Sequence, residues 1–309
     1  MNNTAPYVGR FAPSPSGPLH FGSLLAAAAS YLQARRADGR WLLRIEDIDP
    51  PREQAGASEA ILRALELYGL EWDGDIAYQS ASRDRHLDAI DDLQTRNLAY
   101  RCGCSRRDLA DEPAGALGSI YPGTCRDGSD AADTAVRLLT NDEPIAFIDE
   151  LQGPQTQRLA SESGDFIILR RDGLIAYNLA VVVDDADQGV SEVVRGVDLL
   201  DSTPRHIYLQ RLLGLPTPRY LHIPLAQNKQ GEKLSKLTGA AALPTDEPRP
   251  TIVQALQALG QPAETELAAC SVAEIWRWAT SHWQPAVMAG RQSIPAPGVA
   301  LAPPENGLS

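Results

Sequence analysis

The chain is nearly devoid of lysine and poor in aromatic side chains. Of its 28 basic residues 25 are arginine and three are lysine, and aromatics make up 6% of 309 residues. It also lacks any run near the ~20 apolar residues that a membrane-crossing helix needs. Its first residues, Met1-Asn2-Asn3-Thr4-Ala5-Pro6, have neither the basic nor the apolar stretch of a secretory signal. These absences set the expectation of a cytoplasmic protein with no membrane partner. Four cysteines are too few for a disulfide scaffold at this length. A net charge of -12 disfavours indiscriminate binding to nucleic acid. What remains is ordinary globular composition, 43% hydrophobic and 22% charged, with length for two domains or one domain carrying an insertion.

Charge is unevenly spread. Residues 46–92 hold 13 acidic and 4 basic side chains, whereas residues 96–107 hold Arg96, Arg101, Arg106 and Arg107 and no acid. Such a basic corner can hold a phosphate backbone even on an acidic protein. All three lysines, Lys229, Lys233 and Lys236, fall in one short segment. A GC-rich coding bias accounts for the arginines. Keeping lysine here points to a need for a compact, mobile ammonium.

Hydrophobic patterning predicts a strand at Tyr7–Ala12, a helix over Leu24–Arg36 and a strand at Arg40–Ile45, which together form a βαβ unit with a parallel sheet. Helices are expected at 53–68 and 82–96. Residues 100–130 lack periodicity and read as a loop-rich insertion. Strands are expected at Ala135–Leu138, Ile145–Ile148, Asp165–Leu169, Leu174–Val183 and Ser191–Arg195, then a helix from Ser202 to Leu213 and a strand at Tyr220–Pro224. Pro244, Pro248 and Pro250 mark a linker. Residues 251–283 read as two or three helices, one opened by the capping box Ser271-Val272-Ala273-Glu274. From Gln284 onward the proline-rich tail is expected to be irregular.

Two segments carry phosphate chemistry. Residues 10–23, from Arg10 to Ser23, include Pro13, Pro15, Gly17 and Pro18 and join the first strand to the first helix, the edge where open α/β folds bind ligands. Gly22 permits close approach of a ligand, the helix N-terminus favours an anion, and His20 can donate to a phosphate. A rigid Pro/Gly turn with an incidental histidine explains the segment equally well. Gly231-Glu232-Lys233-Leu234-Ser235-Lys236-Leu237 sets two ammonium groups three apart on a Gly-bearing loop, or is simply a solvated charged loop.

Taken together, the two segments resemble the signatures of class I aminoacyl-tRNA synthetases. His20-Phe21-Gly22-Ser23 is similar to HIGH, with Ser23 in place of the second histidine. Lys233-Leu234-Ser235-Lys236-Leu237 is similar to KMSKS and lies about 200 residues downstream. Residues 10–17, Arg44-Ile45-Glu46-Asp47-Ile48-Asp49, Tyr177-Asn178-Leu179-Ala180 and Val194-Arg195-Gly196-Val197-Asp198 narrow the resemblance to the glutamyl-tRNA synthetase group over residues 7–240. Full-length members carry a large anticodon-binding region after the lysine motif. Here about 70 residues follow, many of them proline-rich. That pattern resembles the group's shortened paralogues, which glutamylate queuosine in the anticodon of tRNA(Asp). A truncated synthetase charging a tRNA 3′ end and a non-catalytic RNA-binding paralogue are the alternatives.

The resemblance implies an α/β fold, a Rossmann-like catalytic domain with an inserted zinc-bearing module and a short, mainly helical C-terminal region. Its first half would span 1–98, the acceptor-binding-like module 99–190, the second half 191–240 and the C-terminal region 241–309. It implies that glutamate is bound by Arg10, Phe11, Ala12, Pro13, Ser14, Glu46, Tyr177 and Arg195. ATP, with Mg²⁺, is bound by His20, Gly22, Ser23, Lys233 and Lys236, of which His20 and Lys236 are catalytic. Asp198 is a weaker candidate for ribose or ammonium contact. Cys102, Cys104 and Cys125 are soft ligands suited to a structural Zn²⁺, which takes about four. The family places a tyrosine in the fourth position, matched by Tyr121; Asp111, Glu112 or water are the substitutes. ATP, L-glutamate and queuosine-bearing tRNA(Asp) are the implied partners of a monomer. Cys270 falls on a helical pattern and is assigned to the core, while His86, His206, His222 and His282 fit no motif.

Overall fold

The computed structural model describes residues 6–228, 230–234 and 240–296. Strand β1 (Val8–Phe11), helix α1 (Phe21–Arg36) and strand β2 (Arg40–Ile45) form the expected βαβ unit, with β1 and β2 parallel. Helix α2 (Ala57–Leu67), the short β3 (Ala77–Tyr78) and α3 (Arg83–Thr95) follow, and β3 extends the parallel sheet beyond β2. Next come β4 (Ala99–Cys102), the hairpin of β5 (Ala114–Gly115) and β6 (Gly118–Ser119), β7 (Ala135–Leu138), β8 (Pro144–Asp149), β9 (Gly153–Arg158), α4 (Leu159–Glu162) and β10 (Phe166–Leu169). Strands β10, β7 and β4 make a separate antiparallel sheet.

The chain then returns through α5 (Tyr177–Asp187), β11 (Glu192–Gly196), α6 (Thr203–Leu213), β12 (Arg219–Ile223) and β13 (Leu225–Gln227). Strands β11, β12 and β8 run parallel, with β9 antiparallel on the outside. Ser191 joins this group to the first: its N–H donates to Val8 O at 2.9 Å and its Oγ accepts from Val8 N at 2.8 Å. The carboxyl ends of β1, β2 and β11 therefore open on one edge.

Helix α1 has apolar residues around most of its surface, because it is covered on both sides. The sheet lies under it, and α7 (Arg249–Ala258) and α8 (Val272–His282) lie over it. Ala27, Ala28, Ala29 and Ala34 are fully buried, and their small size permits this close layering. The segment after the proline linker thus shares the first core. Trp276 of α8 meets the Tyr31 ring edge-on and donates to Tyr68 O at 2.7 Å. A second core gathers α3, β4, β7, β10, α5 and α6.

Two expectations are corrected. The expected strand Leu174–Val183 is not formed, and Tyr177–Asp187 is helix α5. Residues Leu179 to Asp185 are all buried, so an unbroken apolar run marks a helix enclosed by its neighbours rather than a strand. The tail after Gln284 is not irregular throughout. Strand β14 (Ser293–Pro295) pairs in parallel with β13, at the root of the lysine segment.

Gly164 has φ +66°, and a Cβ there would fall 2.3 Å from Tyr121 N. Gly164→Ala is expected to cost about 2 kcal/mol or more and to displace Tyr121, read as a lowered urea midpoint at unchanged m-value.

Candidate active site

His20 is the N-cap of α1. Its Nδ1 accepts from Ser23 N at 3.2 Å, and Ser23 Oγ faces His20 N at 3.5 Å, a reciprocal capping box. The ring proton consequently sits on Nε2. At Gly22 a Cβ would lie 3.1 Å from the His20 ring and 3.4 Å from Leu234 O. The first turn and the start of the lysine segment are therefore in contact. Lys233 forms an ion pair with Asp198. Lys236 lies outside the described residues, as do Lys229, Ser235 and Leu237.

Behind this turn is a buried cluster of charge. Arg10 closes its Nε and Nη2 on Asp185 at 3.0 and 3.2 Å. Arg44 Nη2 meets the same carboxylate at 2.8 Å and Glu46 at 3.4 Å, and its Nη1 donates to Gln188. Asp184 accepts from Gln79 and faces His86 Nε2, both at 2.7 Å. Burial pushes the Asp185 carboxyl up, but Arg10 and Arg44 outweigh it and hold the group below its ordinary value. For Glu46 burial prevails over Arg44 and Arg10, and its pKa is raised.

Arg195, at the end of β11, is also buried but has a different set of partners. Its Nε donates to His222 Nε2 at 2.9 Å, and Nη1 faces His206 Nδ1 at 3.2 Å. Nη2 donates to Thr203 Oγ1 at 2.8 Å and to Leu199 O at 3.1 Å. Behind the histidines, His222 Nδ1 lies 2.6 Å from Asp149 Oδ2, and His206 Nε2 lies 3.0 Å from Asn178 Oδ1. Burial drives His222 down to about 4, although Asp149 opposes it, and drives His206 well below its ordinary value.

Between the end of β2 and the start of α5 opens a cavity of about 640 Å³, lined by Ser14, Ser16, Glu46, Gln79, Ile175 and Tyr177 among others. The Tyr177 phenol lies in the field of Arg195, Glu46, Arg10 and Asp185, and burial raises its pKa. Of the residues expected to bind one ligand, Ser14, Glu46 and Tyr177 line this cavity, and Arg10 and Arg195 stand within range of Tyr177. Phe11 differs: its ring is buried and stacks on Trp41 in the first core. Pro13 presents its carbonyl to Glu46 N at 3.0 Å.

The cysteines converge as well. The sulfurs of Cys102, Cys104 and Cys125 lie within 4.8 Å of one another. Tyr121 Oη is 3.3 Å from Cys102 Sγ and 3.6 Å from Cys104 Sγ, and it accepts from Cys125 N at 2.9 Å. Ligand atoms about 2.3 Å from a tetrahedral ion stand about 3.7 Å apart, so the donor set and its spacing fit a metal. Arg137 Nε donates to Cys102 Sγ at 3.2 Å, and its guanidinium lies 3.9 Å from the Tyr121 ring centre. Burial and the neighbouring thiols push the Tyr121 phenol above its ordinary value.

Sequence reasoning missed Asp149, His206, His222 and Asp185. The Asp184-Asp185 pair inside an apolar run was a usable signal, since buried acids need partners. His222, flanked by Leu221 and Ile223 on a strand, was another. Nothing local paired it with Asp149 or Arg195.

Residues 7–292 match the family model for the catalytic domain of class I tRNA synthetases (E and Q). A glutamyl-Q tRNA(Asp) synthetase of Pseudomonas syringae pv. tomato is 51% identical over 289 residues, covering 93% of this chain and 96% of that protein. One of Ectopseudomonas mendocina is 54% identical over 282 residues, covering 91% and 94%. Among solved structures, a glutamate tRNA ligase of Elizabethkingia meningosepticum superposes with a TM-score of 0.78 at 23% identity, over 93% of this chain and 66% of that one. This last likeness is one of fold.

The two histidines make stability depend on pH. They are neutral when folded and bind protons near pH 6.5 when unfolded. Their contribution is complete above that value and is lost as pH falls towards about 4, the folded value for His222. Between pH 7 and pH 5 the unfolding free energy is expected to drop by about 2 kcal/mol through His222. Urea titrations at the two pH values check this, and the drop is expected to be smaller in His222→Gln.

Proposed function

Because the chain belongs to the class I tRNA synthetases of the glutamate and glutamine group, we propose that it activates glutamate with ATP and transfers it to queuosine in the anticodon of tRNA(Asp). The observation that carries this reading is the meeting at one sheet edge of a capped helix N-terminus, a cavity lined by Glu46 and Tyr177, and two buried arginines beside it. Glutamate has one ammonium and two carboxylates, for which Glu46 and the guanidiniums of Arg10 and Arg195 are the partners in this reading. The acceptor rests on the relatives, which are named glutamyl-Q tRNA(Asp) synthetases over nearly the whole chain.

In this reading Glu46 meets the α-ammonium. Arg10 Nη1, which makes no hydrogen bond among the described residues, and Arg195 address the carboxylates, with Ser14 and Tyr177 as hydroxyl partners. Phe11, Ala12 and Pro13 contribute backbone to the pocket wall. An α-carboxylate oxygen attacks the α-phosphorus of Mg²⁺-bound ATP. The new P–O bond forms as the bond to pyrophosphate breaks. His20 Nε2–H and the free amides of α1, with Gly22 and Ser23 at the turn, stabilise the charge that builds on the phosphoryl oxygens. Lys233 and Lys236 serve the leaving group. A cyclopentene hydroxyl of queuosine then attacks the glutamyl carbonyl and AMP departs. No covalent enzyme intermediate is needed, so the work is positioning and charge stabilisation.

In this reading residues 99–190 carry the RNA-facing module, while β8, β9 and α5 of the same stretch pack into the main sheet and the pocket. Arg101, Arg106 and Arg107 are exposed beside the cysteine cluster and suit phosphate contact. Cys102, Cys104, Cys125 and Tyr121 hold Zn²⁺, whose role there is structural. ATP and tRNA as substrates suit a reaction in the cytoplasm.

ATP–pyrophosphate exchange with each amino acid supplied separately is expected to proceed with glutamate alone. Transfer is expected to tRNA(Asp) that carries queuosine, even when its 3′-terminal adenosine has been removed. Lys236→Ala is expected to lower exchange about 100-fold with folding intact. Exchange with no amino acid, or transfer that requires the 3′ adenosine, overturns the reading. The purified protein is expected to hold about one equivalent of zinc, and Cys104→Ser to lose it together with thermal stability. Equal metal content and stability in the two proteins would exclude the site.

A further inference from the structure

Arg195 differs in kind from the other two arginines at this edge. Arg10 and Arg44 are held by carboxylates, chiefly Asp185, so their charge is largely answered within the protein. No carboxylate among the described residues forms an ion pair with Arg195. Its four bonds go to two imidazole nitrogens, a hydroxyl and a carbonyl. A guanidinium only donates, so both ring atoms that face it must be lone pairs. The remaining nitrogens agree with this. His222 Nδ1–H donates to Asp149 Oδ2, and His206 Nε2–H donates to Asn178 Oδ1. Neither ring can be an imidazolium without aiming an N–H at a cation.

Asp149 in turn is fixed from several sides. Its Oδ1 accepts from the backbone N–H groups of Leu151, Gln152 and His222 at 3.1, 2.9 and 3.2 Å. The one acid in the string thus stands an imidazole's width from Arg195, with its charge shared among these donors.

We propose that His222 and His206, with Asp149 behind the first, are positioning residues that orient Arg195 while leaving its charge unanswered, and that this makes the pocket select a side-chain carboxylate over the matching carboxamide. The inference rests on the glutamate-binding role of Arg195 proposed above. Glutamate and glutamine have nearly the same shape, so packing cannot separate them and charge must. A carboxylate on Arg195 would orient it as firmly but would cancel the field that the substrate meets. Neutral acceptors offset the cost of burying the guanidinium by hydrogen bonding alone. The positive charge stays available to an anion in a site of low dielectric, where a neutral carboxamide gains much less from it.

A substitution series at His206 tests this, read by glutamate-dependent pyrophosphate exchange in the full-length protein, with glutamine as competing amino acid. His206→Leu removes one acceptor and is expected to raise KM for glutamate about 10-fold with KM for ATP little changed. In His206→Gln an amide oxygen can accept in its place, and most of the affinity is expected to return. His206→Glu supplies a carboxylate and is expected to shrink the preference for glutamate over glutamine about 10-fold or more beyond any loss in the leucine variant. A merely structural role would move both KM values together and leave the preference unchanged, which would overturn the proposal. Should the variants fold poorly, ¹⁵N spectra of the wild-type histidines decide. Neutral rings are expected at pH 7, protonated on Nδ1 in His222 and on Nε2 in His206, and an imidazolium at either position overturns the proposal. Wild-type protein that fails to exchange with glutamate would remove the functional reading along with it, whereas an active wild type with an unaltered preference in His206→Glu removes this inference alone.

Discussion

The carboxylate of Asp185 holds the site together. It reaches from α5 to Arg10 on β1 and to Arg44 on β2, and so joins a helix of the second core to the first two strands of the first. Glu46 and Gln188 are drawn in through Arg44. Withdrawing charged groups from water is expensive, and such a cluster is stable only when each member is answered. Within it Asp185 answers two cations at once. The cavity wall between the end of β2 and the start of α5 inherits its shape from this arrangement, because both elements are pinned to the same acid.

The order of strand, turn, helix and strand at the start of the chain was legible because it rests on local rules. Prolines stop β1, the capped turn begins α1, and apolar spacing shows what is buried. The cysteine cluster was legible for a similar reason: short spacings bring ligands together without help from the fold. Helix α5 was misread, since burial on all sides removes the periodicity that distinguishes a helix from a strand. The histidines could not be read. Asp149 and His222 are 73 residues apart, and only the pairing of β8 with β12 sets them side by side. Each looked like an ordinary polar residue in an apolar strand. Arg10 and Arg195 were found through motif position, but the contrast in how they are held appears only in three dimensions.

The cysteine cluster is tied to the sheet of β4, β7 and β10 through side chains as well as through the chain. Arg137 spans from Cys102 and Tyr121 to the carbonyl of Asp165. Arg171 donates to the carbonyls of Gly103 and Cys104. The loop that carries the exposed arginines is anchored at its base on β4, β7 and β10, and a bound ion would fasten its far side. Its order relative to that sheet would then be set by contacts at both ends.

The capping box at the start of α1 ties two selective pressures to one ring. Through Nδ1, His20 caps the helix that fills the first core; in the proposed reaction its Nε2–H also serves the phosphoryl oxygens. A replacement that keeps one function discards the other unless it happens to offer both an acceptor and a donor at that separation. In the proposed reading, a loss caused by substitution at this position would combine folding with turnover. Position 20 is pleiotropic by construction, which makes it a poor place from which to infer chemistry alone and a strict one for any lineage to alter.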